Sequence, residues 1–167
     1  MLSSIHANPM PSPTSNTRAA LLITTLALVA PALFADEAAD IATIKANELA
    51  FNRAQNEGRF TDMFNFMQRT RTVFPTSGAR MIVGWSDADV KRRQDDLAAG
   101  RQTSLQVEDL QVQVFGDSAV ATFYRVGTEK AVGQAAAQSV RYRFTGVWIR
   151  TQAGWKLVHR HESPLIQ

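Results

Sequence analysis

Several side chains in this sequence sit where a polar group is out of place, and they define the chemistry the chain could perform. Arg125 ends the run Ala119-Val120-Ala121-Thr122-Phe123-Tyr124-Arg125. Alternation along a strand puts it on the face of Ala119, Ala121 and Phe123. A guanidinium stays charged there and needs an anionic or carbonyl partner, and its planar fork suits a carboxylate. The competing reading is a strand-end arginine in a structural ion pair or reaching water. Glu48 lies between Ile44 and Phe51 on the apolar stripe of a helix. Burial would move its pKa up and an arginine would move it down. A raised value would make it a candidate general base; the competing reading is a rim carboxylate satisfied by a neighbouring cation. His159 and His161 are two apart on one strand, which places them with Trp155 and Leu157. They read as polar contacts, with His161 able to act as acid or base. Two histidines without a third ligand make a weak metal set, and Glu162 is expected to face away, so no metal is expected. Tyr124 is a further polar contact, and Trp148 and Phe144 are expected to wall the site or a dimer face.

The elements that must position these groups read as helices first and strands afterwards, an α+β order. Asp40 can cap a helix running to about Glu57, with Gly58 as its stop. Ile41, Ile44, Glu48, Phe51 and Gln55 form its stripe. Phe60, Met63, Phe64 and Met67 predict a second, short helix packed into the core. Arg71–Phe74 predicts a short strand. Ser86 and Asp89 form a capping box for a third helix, with Trp85 placed to staple onto Val90 and Gly100 as its stop. Alternation then predicts strands over Gln102–Phe115 and Ser118–Gly127, joined by Gly116-Asp117. Beyond a loop at 128–137, QSVRYRFTGVWIRTQAGWKLVHRHESPL predicts a long hairpin turning at Gln152-Ala153-Gly154. On its first strand Tyr142, Phe144 and Trp148 share one face, and Arg141, Arg143, Thr145, Val147 and Ile149 the other.

This hairpin carries a resemblance. Val147-Trp148-Ile149-Arg150, Ala153-Gly154-Trp155 and Val158-His159-Arg160-His161-Glu162-Ser163 are similar to the association domain of calcium/calmodulin-dependent protein kinase II. That domain has a Trp strand, a turn with Gly, then Trp-x-x-Val-His-x-His-x-Ser. Arg125 and Gly58-Arg59-Phe60 fit the same pattern in order. The chain thus resembles the nuclear transport factor 2-like, or SnoaL-like, superfamily over about 40 to 165. The resemblance implies a cone-shaped curved antiparallel sheet wrapped around the N-terminal helices, with a pocket between them. Such domains include isomerases, dehydratases, binding proteins and oligomerisation hubs. The association domain has a second arginine just before Val-Trp, where this chain has Gly146. The aspartate base of ketosteroid isomerases has no counterpart on Arg71-Thr72-Val73-Phe74, and no strand offers the Asp-Arg-Asp set of the epoxide hydrolases.

Composition bounds the rest. Residues 1–18 are rich in Ser, Pro, Asn and Thr, and Ala19–Ala35 is an apolar run with no acidic residue before Asp36. This reads as a signal peptide over residues 1–35, cleaved after Ala32 or Ala35, with Met10 a possible start. The run is at the short edge for a membrane span, which needs roughly 20 apolar residues, and Pro31 interrupts it. Residues 36–167 then form a single domain, exported to the periplasm or secreted. The net charge of +3 falls by one with Arg18 and is too mild and scattered to favour nucleic acid. The chain has no cysteine, so neither a disulfide framework nor thiol chemistry is available. No Gly-rich phosphate loop or nucleophile elbow is present, and no cofactor is expected.

The sequence therefore predicts an exported domain that binds a small anionic or carbonyl-bearing organic molecule through Arg125, with His159, His161 and Tyr124 as polar contacts and Trp148 as a wall. An isomerase or dehydratase using His161 or Glu48 is the enzymatic alternative, and an oligomerisation module the third. A homodimer or higher homo-oligomer through the sheet is expected.

Overall fold

The computed structural model describes residues 29–165. Most of the expected signal peptide lies outside the described residues. Helix α1 (Val29–Asn56) is followed by α2 (Phe60–Asn65), strand β1 (Met67–Phe74), the two-residue β2 (Ile82–Val83) and α3 (Asp87–Ala98). Four long strands complete the chain: β3 (Gln102–Phe115), β4 (Ser118–Lys130), β5 (Gln138–Thr151) and β6 (Gly154–Pro164). They form one six-stranded mixed sheet in the order β2-β1-β6-β5-β4-β3. All neighbours are antiparallel except β1 and β6, which run parallel. The helix-then-strand order and the long hairpins thus form as predicted.

Boundaries differ in instructive places. Asp40 is not a cap, because α1 begins before it. Its carboxylate instead takes Arg150 of β5 in an ion pair and accepts from Trp155 Nε1 at 3.0 Å, tying the helix to the closing hairpin. Arg150 holds that carboxyl below its ordinary pKa. Met67 belongs to β1 rather than to the short helix, because Met67 already pairs with Leu157 of β6. The capping box of α3 is present: Asp89 Oδ2 accepts from Ser86 N at 2.9 Å and from Ser86 Oγ at 3.1 Å. The hairpin turn falls at Gln152-Ala153 as predicted.

The core lies between the inner face of the sheet and α1–α2. Ile44, Phe51 and Ala54 of α1, with Phe60, Met63 and Phe64 of α2, pack on Ala119, Ala121, Phe123, Phe144, Trp148 and Leu157. The alanines of β4 leave room for the helix to approach, and removing this apolar surface from water drives the assembly. Asparagines complete the docking of α1 onto the sheet margin. Asn52 Nδ2 and Asn56 Nδ2 both donate to Leu105 O at 2.7 and 2.8 Å, and Asn56 Oδ1 accepts from Leu105 N at 3.1 Å. Asn56 thus pairs with a strand backbone as another strand would.

Two irregularities bend the sheet. On β3 the pairing shifts between Glu108 and Gln111, where Asp109 takes a left-handed φ of 53°. On β6 the pairing shifts at Val158: Trp148 pairs with Leu157, but Val147 pairs with His159. Val158 is thus an extra residue, a β-bulge that reverses which face later side chains occupy. Before it Trp155 and Leu157 point inward; after it Arg160 does, and His159 and His161 do not.

Close approach of backbones fixes the β3–β4 seam. Gly127 has φ 155°, and a Cβ there would lie 2.0 Å from Ser104 O and 3.1 Å from Leu105 Cα. Gly127→Ala must push β3 away from β4 beside the Leu105 docking point. We expect it to lower stability by about 2 kcal/mol or more, read as a fall in the urea midpoint; an unchanged midpoint would show that the seam has room for a side chain.

Candidate functional site

The bulge at Val158 assembles a site from three strands and one helix. Arg125 of β4 is 2% exposed and points inward, as its alternation predicted. Its Nη1 donates to Gln55 Oε1 at 2.9 Å, from the stripe of α1. Arg160 of β6 is likewise 2% exposed. Its Nη2 donates to Glu48 Oε2 at 2.6 Å. Glu48 is fully buried, and its other oxygen accepts from Trp148 Nε1 at 3.0 Å.

Both guanidiniums rest on the same three rings. Arg125 Cζ lies 5.1 Å from the Phe51 centroid, 4.8 Å from Phe144 and 5.6 Å from Phe123. The corresponding distances from Arg160 Cζ are 4.2, 5.7 and 5.8 Å. Aromatic faces offset part of the cost of desolvating a cation, and Phe123 and Phe144 stack with centroids 5.1 Å apart. The charge remains incompletely matched. Arg125 Nε and Nη2 and Arg160 Nε are buried without a partner among the described residues. Buried donors are normally satisfied, and leaving one unmet costs about 1–3 kcal/mol, more for a charged group. Burial, reinforced by the positive charge of Arg160, pulls the Arg125 pKa down to about 10.

These groups face a cavity of about 190 Å³ between the sheet and the helices. Arg125 and Arg160 meet it at the aromatic end, beside Phe51 and Phe144. It extends toward the exposed Ile82 and Leu97, where Arg71 and Arg93 also line it. Arg71 donates to Met67 Sδ and to Gly84 O, both at 3.0 Å, and forms no ion pair among the described residues. Burial lowers the pKa of both Arg71 and Arg93. Glu129 and Tyr142 close another side: Tyr142 Oη donates to Glu129 Oε2 at 2.9 Å, and burial together with Glu129 pushes the phenol up. Glu162 lines the cavity too. Burial raises its pKa, against the opposing pull of Arg160, Arg125, Arg93 and Arg71.

The residues named from sequence separate into two sets. Arg125 and Glu48 face inward and belong together, bridged by Arg160. Trp148 is fully buried behind the cavity, where it orients Glu48 rather than walling a ligand. Phe144 does line the cavity. Tyr124 is on the outer face of the sheet, with Arg141 Cζ 6.0 Å from its ring. His159 and His161 are also on that outer face, not with Trp155 and Leu157, because the bulge reverses their parity. His159 Nδ1 is 2.7 Å from Thr72 Oγ1, and both histidine rings meet the edge of Phe74. Glu162, expected to face away, faces in for the same reason.

Arg160 and Glu162 are the residues that sequence reasoning missed. Their signal lies in the pairing of β6 with β5, in which Gly146 opposes Arg160 and Phe144 opposes Glu162. Gly146 therefore does not deprive the site of a second arginine. A Cβ at Gly146 would lie 3.1 Å from both Glu48 Oε1 and Leu157 Cδ1, so Glu48 already occupies the approach a side chain would need.

A helix crossed by a curved, unclosed sheet with a charged cavity between them is the architecture of the cone-shaped α+β domains. The SnoaL-like domain model matches residues 44–167, and the chain belongs to that family. Solved structures agree. The calcium/calmodulin-dependent protein kinase II hub of S. rosetta is 26% identical, over 75% of this chain and 96% of that one, with TM-score 0.61. The hub homology domain from Chlamydamonas reinhardtii is 21% identical over 75% and 98%, with TM-score 0.60. A ketosteroid isomerase-like protein from Erwinia carotovora atroseptica is 16% identical over 77% and 98%, with TM-score 0.63. No curated protein matches the chain by sequence.

Glu48 is the hub of the buried polar network. Glu48→Ala leaves the Arg160 guanidinium buried without its carboxylate and Trp148 without its acceptor. Breaking a buried pair from one side costs about 3–5 kcal/mol. We expect a loss of that size in chemical unfolding, and a loss below about 1 kcal/mol would mean that water replaces the carboxylate.

Proposed function

We propose that the protein binds a small organic molecule carrying a carboxylate, seated on Arg125 and Arg160. One observation carries this reading: two guanidiniums rest on one set of aromatic rings, only Arg160 has a carboxylate partner, Glu48, and three of their N–H-bearing nitrogens have no partner among the described residues. A carboxylate can accept from such donors in paired geometry, and charge-assisted bonds of this kind are the stronger class. Phe51, Phe60 and Phe144 supply the apolar lining for the organic part of the ligand. The family and the hub neighbours are compatible with such a pocket.

The acid–base alternative draws less support at Glu48 and His161. Both oxygens of Glu48 are engaged, and His161 is exposed on the outer face. That outer face, with Thr122, Tyr124, Arg143 and Thr145, is the surface we assign to self-association, and the hub neighbours favour an assembly of copies. Export is a further proposal, resting on the apolar run before Asp36. Among the described residues the tertiary side-chain hydrogen bonds of α1 begin at Asp40, beyond a cut after Ala32 or Ala35. N-terminal sequencing of protein recovered from its host should start at residue 33 or 36; an intact first methionine would overturn export by cleavage.

Aromatic carboxylates such as benzoate should raise the melting temperature of the purified protein. Arg125→Ala should abolish that shift, because it removes the two partnerless donors on one side chain. A shift unchanged in Arg125→Ala would overturn the assignment of the ligand to this cavity.

A further inference from the structure

Glu162 is the one carboxylate lining the cavity that takes part in no hydrogen bond or ion pair among the described residues. Glu48 is committed to Arg160 and Trp148, and Glu129 to Tyr142. Glu162 thus lines the same cavity as Arg125 and Arg160. A ligand carboxylate on the arginines repels an ionised Glu162 that lines the same cavity. Protonation removes that repulsion and converts Glu162 from an acceptor to a hydrogen-bond donor.

We propose that Glu162 makes this cavity a proton-linked anion site: a carboxylate-bearing ligand binds as the anion, and Glu162 takes up one proton from solvent as it enters. The inference rests on the binding reading above and adds its regulation. No bond is made or broken beyond that O–H bond, and the ligand keeps its charge.

The groups facing Glu162 set the sign. Arg160 stands beside it on β6, Arg125 and Glu129 come from β4, Tyr142 from β5 and Arg71 from β1. Arg93 faces it from α3 and Arg101 from the segment before β3. His159 and His161 flank it on its own strand but project from the opposite face. In the free protein burial holds the Glu162 carboxyl above its ordinary pKa, while the four arginines oppose that rise. A bound anion cancels part of the arginines' positive field, so the carboxyl rises further in the complex. Between the free and bound values binding takes up a proton, and affinity strengthens as pH falls through that window. A single linked proton changes the dissociation constant by up to about tenfold per pH unit.

The test is calorimetric titration with 4-toluenesulfonate, an anion that does not itself titrate in the range, and with benzoate. Titrations in two buffers of different ionisation enthalpy, from about pH 8 down to about pH 5, count the protons directly on the wild-type protein. We expect uptake approaching one proton with both probes, affinity rising toward acid, and loss of both effects in Glu162→Gln, which still binds. Binding by the wild type with no proton uptake at any pH would overturn the proposal while leaving the binding reading intact. A proton count that persists in Glu162→Gln and disappears in His161→Asn would overturn it as well. No binding of either probe at any pH would overturn the site reading and this inference together.

Discussion

The contact between Arg160 and Glu48 is the constraint on which the rest of the structure depends. It joins the first helix to the last strand across 112 positions of sequence, and Trp148 joins β5 to the same carboxylate. A fully buried charge is tolerated only when it is paired and hydrogen-bonded. Glu48 meets both conditions, and so it fixes the height of α1 above the sheet. Once the helix is placed, Phe51 one turn further on lies against both guanidiniums, and Gln55 reaches Arg125. The cavity is the space left between elements that this network holds apart.

That network also shows why Arg160 and Gly146 belong together. They oppose one another on adjacent strands, β6 and β5. The association domain that the chain resembles has its arginine at the position of Gly146; here the arginine stands opposite, at Arg160, and residue 146 has no side chain. The charge enters the same region from the neighbouring strand. Glu48 Oε1 and Leu157 lie where a Cβ on residue 146 would meet them, so the exchange is a matter of volume as well as charge.

Much of the fold was legible because its signals are local. Alternation identified the inward face of β4, including Arg125, and the aromatic face of β5. The turn at Gln152-Ala153 and the capping box of α3 have short-range chemistry that one sequence displays in full. The site was legible only in part. Glu48 on an apolar stripe correctly announced burial, but its partner could not be read from it. Period-two counting along β6 fails at Val158, since an extra residue inserted into a ladder leaves no mark in composition and moves every later side chain to the other face. The single bulge exchanged His159 and His161 for Arg160 and Glu162. Asp40 shows the same limit at the other end of the chain: Asp before an apolar run reads as a cap, yet its carboxylate serves Arg150 and Trp155, which are more than a hundred residues away.

The exchange at the bulge decides what kind of pocket this is. With two histidines inside, the chemistry at that strand would be that of imidazole. With Arg160 and Glu162 inside, it holds two guanidiniums at its aromatic end and one carboxylate bound by neither. The one strong pair, Arg160 with Glu48, leaves Arg125 with only the neutral amide of Gln55. Under the proposed binding, the counter-charge comes from Glu162 or from an anion that enters. Those two solutions compete for the same positive field, and in our proposal that competition couples occupancy by an anion to the protonation of the carboxyl beside it.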